Sequence, residues 1–163
     1  MRYASGRGET PDEAIERCAL ERAERTSAQF HGDEQMVRAT PTMMDRPAVL
    51  PPDIMLFSEA QYASHAAERQ RNPYPDDFPG RWSDALPVDW VKATAAISSA
   101  EAWLPAGLCY LGHGRDRAAG LVPADTNGLA AGASVEDAAI RAFVELVERD
   151  AVALWWYNRV SRP

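Results

Sequence analysis

"SVEDAAIRAFVELVERDA", Ser134 to Ala151, is the stretch whose reading decides the fold. Ser134 is a hydroxyl cap with an acid, Asp137, three residues on. Ala138, Ala142, Phe143, Leu146, Ala151 and Leu154 then recur at helical spacing. Together they predict a helix from Ser134 to about Asn158. A second stripe holds Arg141, Glu145, Glu148 and Arg149, because residues i, i+4, i+7 and i+8 share a helix face. Taken once, R-x3-E-x2-E-R is commonly a solvated face laced with i,i+4 pairs worth about 0.2–0.5 kcal/mol each. Here it occurs twice.

"GETPDEAIERCALERAER", starting at Gly8, aligns without a gap on "GASVEDAAIRAFVELVER", starting at Gly132, at a constant offset of 124 residues. Thr10 matches Ser134 as cap, and Glu13 matches Asp137 as its capping-box acid. Arg17, Glu21, Glu24 and Arg25 match Arg141, Glu145, Glu148 and Arg149. Pro11 suits a first helical position, so a helix is expected from Thr10 to about Gln29, with Ala14, Ile15, Cys18, Ala19 and Ala23 on its apolar stripe. Surface charge has no reason to recur in register with the caps. If the two helices pack as pseudo-symmetric partners, Glu21, Glu24, Glu145 and Glu148 converge, and converging carboxylates repel unless cations neutralise them. Hard divalent ions such as Mg2+ take oxygen ligands and share them with phosphates. Arg17, Arg25, Arg141 and Arg149 suit bidentate phosphate contact. The pattern therefore points to a nucleotide–Mg2+ site. A di-iron bundle would require Glu-x2-His pairs, and neither helix has the His.

The 163 residues, 46% hydrophobic, suffice for one domain with a core. A formal net charge of -7 argues against a nucleic-acid partner, which phosphate contacts would oblige to be basic. Two cysteines, Cys18 and Cys109, make neither a disulfide framework nor a metal site. "MRYASGRGETPDEAIER" has no apolar signal region, and no stretch reaches the roughly 18 apolar residues of a span, so a cytoplasmic location is expected.

Between the helices, Phe30 to Pro52 reads as proline-broken loop, Asp53 to Arg71 as a helix with a looser beginning, and Asn72 to Trp90 as a connection. Trp103 to His113 reads as a strand, and Leu121 to Gly132 as turn-rich. Helices alternating with short strands indicate an α/β or α+β fold. His31, His65 and His113 lack metal spacing and are expected in ordinary surface or core roles. Cys18 is expected to pack, and Trp155, Trp156 and Tyr157 to belong to a core or interface.

"SGRGETPDEAIERCALERAER" and "DTNGLAAGASVEDAAIRAFVELVERDAVALWW" resemble the two N-terminal signature segments of the YcaO family. The intervening "VLPPDIMLFSEAQY", "LPVDW" and "WLPAGLCYL" resemble its SagD-like cyclodehydratases of thiazole/oxazole-modified microcin biosynthesis. The resemblance implies an α/β YcaO-type domain over residues 1–163, with two pseudo-repeated acidic helices packed on a mixed sheet, corresponding to the N-terminal half of family members. It implies ATP and Mg2+ as cofactors, a ribosomal precursor peptide as partner, and formation of azoline rings through phosphorylation of a backbone amide oxygen. A leader-binding partner protein, a completing chain and a homodimer are further partners it brings into view. The implied magnesium ligands are Glu21, Glu24, Glu145 and Glu148. The implied nucleotide contacts are Arg7, Arg25 and Arg149, with Arg17, Asp137 and Arg141 beside them. Arg7 stands where the family commonly has Lys, Arg17 where it usually has Ser, and Gly132-Ala133 where "GN" is frequent. A truncated, non-catalytic binding module is the alternative from another functional class.

Overall fold

The computed structural model describes residues 4–71, 78–114, 116, 119–121 and 124–159, the side chains of 68–70 excepted. They form two compact units, one of Met1–Ala28 with Thr126–Pro163, the other of Gln29–Asp125.

The first unit holds the repeat. Helix α1 spans Pro11–Ser27, with Pro11 in its first turn and Thr10 as N-cap, its hydroxyl accepting from the Glu13 N–H. Helix α5 spans Val135–Tyr157, with the Ser134 hydroxyl accepting from the Asp137 N–H. Both helices end within two residues of the expected positions. Neither has a buried residue. Phe143, Leu146 and Leu154 of the expected apolar side are about half exposed or more, as are Trp155, Trp156 and Tyr157. The expected core or interface role of the last three is therefore not a core role within the described residues.

The second unit is built on strands β1 (Val37–Ala39), β2 (Val88–Thr94) and β3 (Glu101–Pro105), paired antiparallel in the order β1-β2-β3. The parallel component of the expected mixed sheet is confined to two isolated bridges, Gln29 with Leu111 and Ala48 with Trp103. Alternation gives the sheet two faces. One presents Ala39, Val88, Trp90 and Trp103 to a core completed by Ala119 and Leu121. Trp90 is fully buried, and its indole N–H donates to the Ala39 carbonyl at 2.9 Å. The Trp103 indole N–H donates to Asp45 at 2.9 Å and holds that carboxyl below its ordinary range.

Several local expectations are corrected here. The expected loop 30–52 contains β1 and a 3-10 turn at Pro41–Met43, and the expected connection 72–90 runs into β2; residues 72–77 lie outside the described ones. The helix expected over 53–71 is two: α2 (Pro51–Met55) and α3 (Glu59–Arg71). Leu56 ends α2 in the left-handed region at φ 52°. Ser58 and Gln61 then start α3 with reciprocal bonds, the Ser58 N–H to Gln61 and the Gln61 N–H to the Ser58 hydroxyl. The strand expected over 103–113 stops at Pro105, where the short helix α4 (Ala106–Cys109) begins.

Candidate functional site

The repeat seen in the sequence recurs in contacts. Ahead of each helix the chain doubles back over its first turn. The Glu9 N–H donates to the Glu13 carboxylate at 2.9 Å, and its counterpart, the Ala133 N–H, donates to Asp137 at 3.1 Å. The glycines of this approach have no room for a side chain. A Cβ on Gly8 would stand 2.8 Å from the Ala14 nitrogen, and one on Gly132 would stand 2.6 Å from the Ala138 nitrogen. Ala14 and Ala138 are themselves counterparts in the repeat. Glycine is thus required twice by the same close backbone approach.

About two turns further along, the first glutamate of each stripe is held in the same way. Glu21 accepts from the Ser5 N–H at 2.7 Å and pairs with Arg25 at 2.5 Å. Glu145 accepts from the Gly128 N–H at 3.1 Å and pairs with Arg149 at 3.1 Å. Gly128 has φ 76°, and a Cβ there would press on Leu146, so glycine also delivers this N–H to the site.

Glu24 is different. Among the described residues its carboxylate has no hydrogen bond, and it is half-buried. Burial pushes its carboxyl above the ordinary value; the charge of Glu145 pushes it the same way, Arg25 offsets part of this, and Glu21 adds to it. Glu24 of α1 thus lies within the electrostatic reach of Glu145 of α5. Glu148, one turn beyond Glu145, is exposed and has no ion pair or hydrogen bond among the described residues. Three of the four glutamates are therefore electrostatically linked around Glu24, and Glu148 stands apart. They are not a tight cluster: among the described residues, the acids and imidazoles whose ligand atoms all lie within 4.8 Å of one another are those of Asp89, His113 and Asp116.

The basic residues are committed locally. Besides the pairs of Arg25 and Arg149, Arg17 donates to the Arg7 carbonyl at 2.7 Å, and Arg141 donates to Asp137 at 3.0 Å. Arg7 itself is exposed. Asp137 is engaged by the α5 N-terminus, and the Arg141 bond together with the Ala133 N–H holds its carboxyl below the ordinary range.

Sequence reasoning missed a second polar constellation, in the unit built on the sheet. On the face of β1–β2 opposite the apolar core, Asp89, His113 and Asp116 are buried. The Arg38 guanidinium donates to Asp89 and Asp116, both at 3.0 Å. His113 Nε2 lies 3.1 Å from Asp89, and the Asp89 N–H donates to Asp116 at 3.0 Å. With Arg38 already placed between the two carboxylates, the group is a buried ion network; an added metal would have to displace that guanidinium. His113 and Asp116 lie three residues apart, but no local spacing links them to positions 38 and 89, which the antiparallel β1–β2 register sets opposite each other.

Residues 5–163 match the family described as YcaO cyclodehydratase, ATP- and Mg2+-binding. The chain belongs to the YcaO family. Among solved structures, a heterocyclase in complex with substrate and cofactor matches at a TM-score of 0.86 and 34% identity, over 100% of this chain and 22% of that one. The heterocyclase TruD matches at 0.77 and 31%, over 100% of this chain and 27% of that one. YcaO from Methanopyrus kandleri, bound with AMPPCP and Mg2+, matches at 0.64 and 22%, over 98% and 34%; at that identity the likeness is one of fold. No curated protein sequence matches the chain. This YcaO chain thus spans about a quarter of the length of the two heterocyclases. Among its described residues no helix is long and apolar enough to cross a membrane.

ATP and Mg2+ are the ligands of the YcaO family, and the acidic unit fits them on its own chemistry. Its donors are carboxylate oxygens, the set that hard divalent ions prefer. Glu24 is desolvated, faces like charge and lacks a hydrogen bond among the described residues, so a cation beside it would relieve a cost already present.

Proposed function

We propose that this chain contributes the ATP–Mg2+ site of a cyclodehydratase that activates backbone amides of a ribosomal precursor peptide and forms azoline rings, in bacteriocin-type biosynthesis. The observation that carries the reading is Glu24: a half-buried carboxyl pushed up by burial and by Glu145 across the helix pair. Glu24 and Glu145 would hold the ions, with Glu21 and Glu148 completing the acidic set. Bound Mg2+–ATP would supply the phosphoryl group that makes an amide oxygen a leaving group.

The protein's own part is positioning and charge balance, which dominate phosphoryl transfer. The Ser5 and Gly128 N–H groups fix Glu21 and Glu145, so these carboxylates are oriented before any ion arrives. Arg25 and Arg149 are held on the same stripe by those glutamates and can turn a remaining N–H edge toward a phosphate without leaving their partners. Arg7, exposed just before the capped start of α1, stands where the positive end of the helix dipole favours an anion, with Arg17 fixed beside it. Asp137 and Arg141 form the equivalent pair at α5.

Calorimetric titration of the purified chain with Mg2+–ATP tests the reading. Saturable binding that disappears in Glu24→Gln and Glu145→Gln is expected. No heat at millimolar ligand, from a chain shown to be folded, would overturn it in favour of a non-binding fragment. Incubation with a Cys-containing precursor peptide and ATP then tests the chemistry, each ring removing one water, about 18 Da.

A further inference from the structure

Residues 5–9 are fastened along α1 by contacts that advance in step. The Glu9 N–H donates to the Glu13 carboxylate at 2.9 Å, the Arg7 carbonyl accepts from Arg17 Nη1 at 2.7 Å, and the Ser5 N–H donates to Glu21 at 2.7 Å. Every second residue of this strap thus meets every fourth residue of the helix. Two residues of extended chain advance about 6.6 Å and four helical residues about 6 Å, so the two repeats stay in register. Between the anchors lie Gly6 and Gly8. A Cβ on Gly6 would run into the Ala14 oxygen and stand 2.5 Å from the Cys18 nitrogen, and one on Gly8 would stand 2.5 Å from the Glu13 Cβ. The glycines therefore face the helix, and the Arg7 side chain between them is exposed on the outer side.

The second copy of the repeat is fastened differently at its middle position. Ala131 and Arg141 stand where the first copy has Arg7 and Arg17, and Arg141 donates to the Asp137 carboxylate at 3.0 Å. Glu13, the counterpart of Asp137, likewise lies one turn before Arg17, yet Arg17 donates to the main chain of the strap. The helix arginine is thus turned to the strap in the copy whose strap carries a guanidinium, and to its own capping acid in the copy whose strap carries alanine.

We propose that Arg17 is a positioning residue of the nucleotide site: it pins the main chain at Arg7 so that the Arg7 guanidinium meets a nucleotide phosphate, and it does not bind the phosphate itself. A strap already in place spares Arg7 the ordering cost that a free segment would incur on binding. The same strap is anchored on Glu21, so the anion-binding guanidinium and one carboxylate of the acidic set are tied to a single helix stripe. The proposal deepens the reading of this unit as an ATP–Mg2+ site and rests on it for the role of Arg7, though not for the fastening of the strap.

The fastening is read first, without ligand. The acceptor of Arg17 is the carbonyl of the Arg7–Gly8 peptide, the bond that trypsin cleaves after Arg7. Arg17→Met keeps the aliphatic stem and removes the donor, and should raise the initial rate of cleavage after Arg7 by about fivefold or more, the effect of losing one hydrogen bond on an opening equilibrium. Arg17→Lys, which keeps a donor, should raise it less; peptide mass spectrometry follows both. Arg17 is exposed, so the variants are expected to fold, which circular dichroism checks. The role is then read by calorimetric titration with Mg2+–ATP as a double-variant cycle. Arg7→Met is expected to weaken binding about tenfold, Arg17→Met about fivefold, and the pair no more than Arg7→Met alone, because Arg17 acts through Arg7. Losses that multiply in the pair would make Arg17 a phosphate contact in its own right and overturn the proposal. Cleavage after Arg7 unchanged by Arg17→Met, or binding unchanged by it, would overturn it as well. A parent chain that binds no Mg2+–ATP would overturn the nucleotide reading and with it the role of Arg17, while faster cleavage in Arg17→Met would leave the fastening standing.

Discussion

Arg38→Met isolates the buried ion network, because it removes one guanidinium and leaves Asp89, Asp116 and His113 in place. A single nitrogen, Nη1, donates to both carboxylates at 3.0 Å. Both carboxylates are almost wholly buried, whereas the Arg38 side chain is 43% exposed. Hydrogen bonds to charged groups contribute about 1.5–3 kcal/mol each, and stranding a fully buried charge costs about 3–5 kcal/mol. Water can reach the vacated guanidinium position, so the lower end applies, and we expect a loss of about 3 kcal/mol. With a denaturant slope of about 1.5 kcal/mol/M, this lowers the urea midpoint of the sheet unit by about 2 M. Urea titration followed by tryptophan emission reads it, since Trp90 and Trp103 are buried in that unit while Trp155 and Trp156 are exposed. If stranded charge is the cause, adding Asp116→Asn to Arg38→Met should restore part of the loss. A midpoint within about 0.3 M of the parent, or a double variant less stable than Arg38→Met alone, would refute the reasoning.

Three further outcomes are expected. Gly132→Ala sets a Cβ against the Ala138 nitrogen and should destabilise the start of α5 by about 1–3 kcal/mol, read as lost amide protection in the first turn by hydrogen exchange; the same change at Gly8 should act on α1. Glu24 has a folded-state value raised above 4.5, so the ligand-free chain should lose stability as pH rises through the interval from about 4.5 to that raised value; thermal melts across pH 4–7 should show this loss, Glu145→Gln should reduce it, and saturating Mg2+–ATP, at a hundredfold over its Kd, should add about 2.7 kcal/mol to the parent alone. Burial pushes the Cys109 thiol up to about 11, so its iodoacetamide alkylation at pH 8, followed by peptide mass spectrometry, should run about a hundredfold slower than that of an ordinary thiol.

What the sequence made legible was local and periodic. Each repeat helix carries its own start signal and its own stripe, so α1 and α5 follow from Thr10, Glu13, Ser134 and Asp137 to within two residues. The grouping of the charged residues was legible for the same reason, since Arg25 lies one turn from Glu21, and Arg149 one turn from Glu145. The break at Leu56 was present as the Ser58–Gln61 capping box but is masked by the apolar residues around it. Strand β2 was hidden because Asp89 and Lys92 interrupt its apolar residues, and that aspartate makes sense inside a sheet only once Arg38, His113 and Asp116 are placed around it. Strand β1 has three residues, too few for any period to show. The donors that orient Glu21 and Glu145 are backbone N–H groups, which no side-chain motif announces.

The two units treat buried charge in opposite ways, and the difference bears on function. In the sheet unit each buried carboxylate has protein donors: Arg38 and His113 for Asp89, Arg38 and a backbone N–H for Asp116. Both carboxylates of that network are satisfied within the chain, and the one buried atom of it left without a hydrogen bond is His113 Nδ1. In the helical unit Glu24 is half-buried, its carboxylate has no hydrogen bond among the described residues, and it faces like charge. Selection for stability alone would replace Glu24 with glutamine or pair it with a donor, since either change relieves the repulsion without loss of a packed core. The repeat instead keeps the carboxylate and spends its donors on the neighbouring Glu21 and Glu145, which are thereby held in fixed positions. A carboxylate left unsatisfied between two oriented neighbours is what the proposed ATP–Mg2+ site in this unit would require, because a cation bound there would complete it.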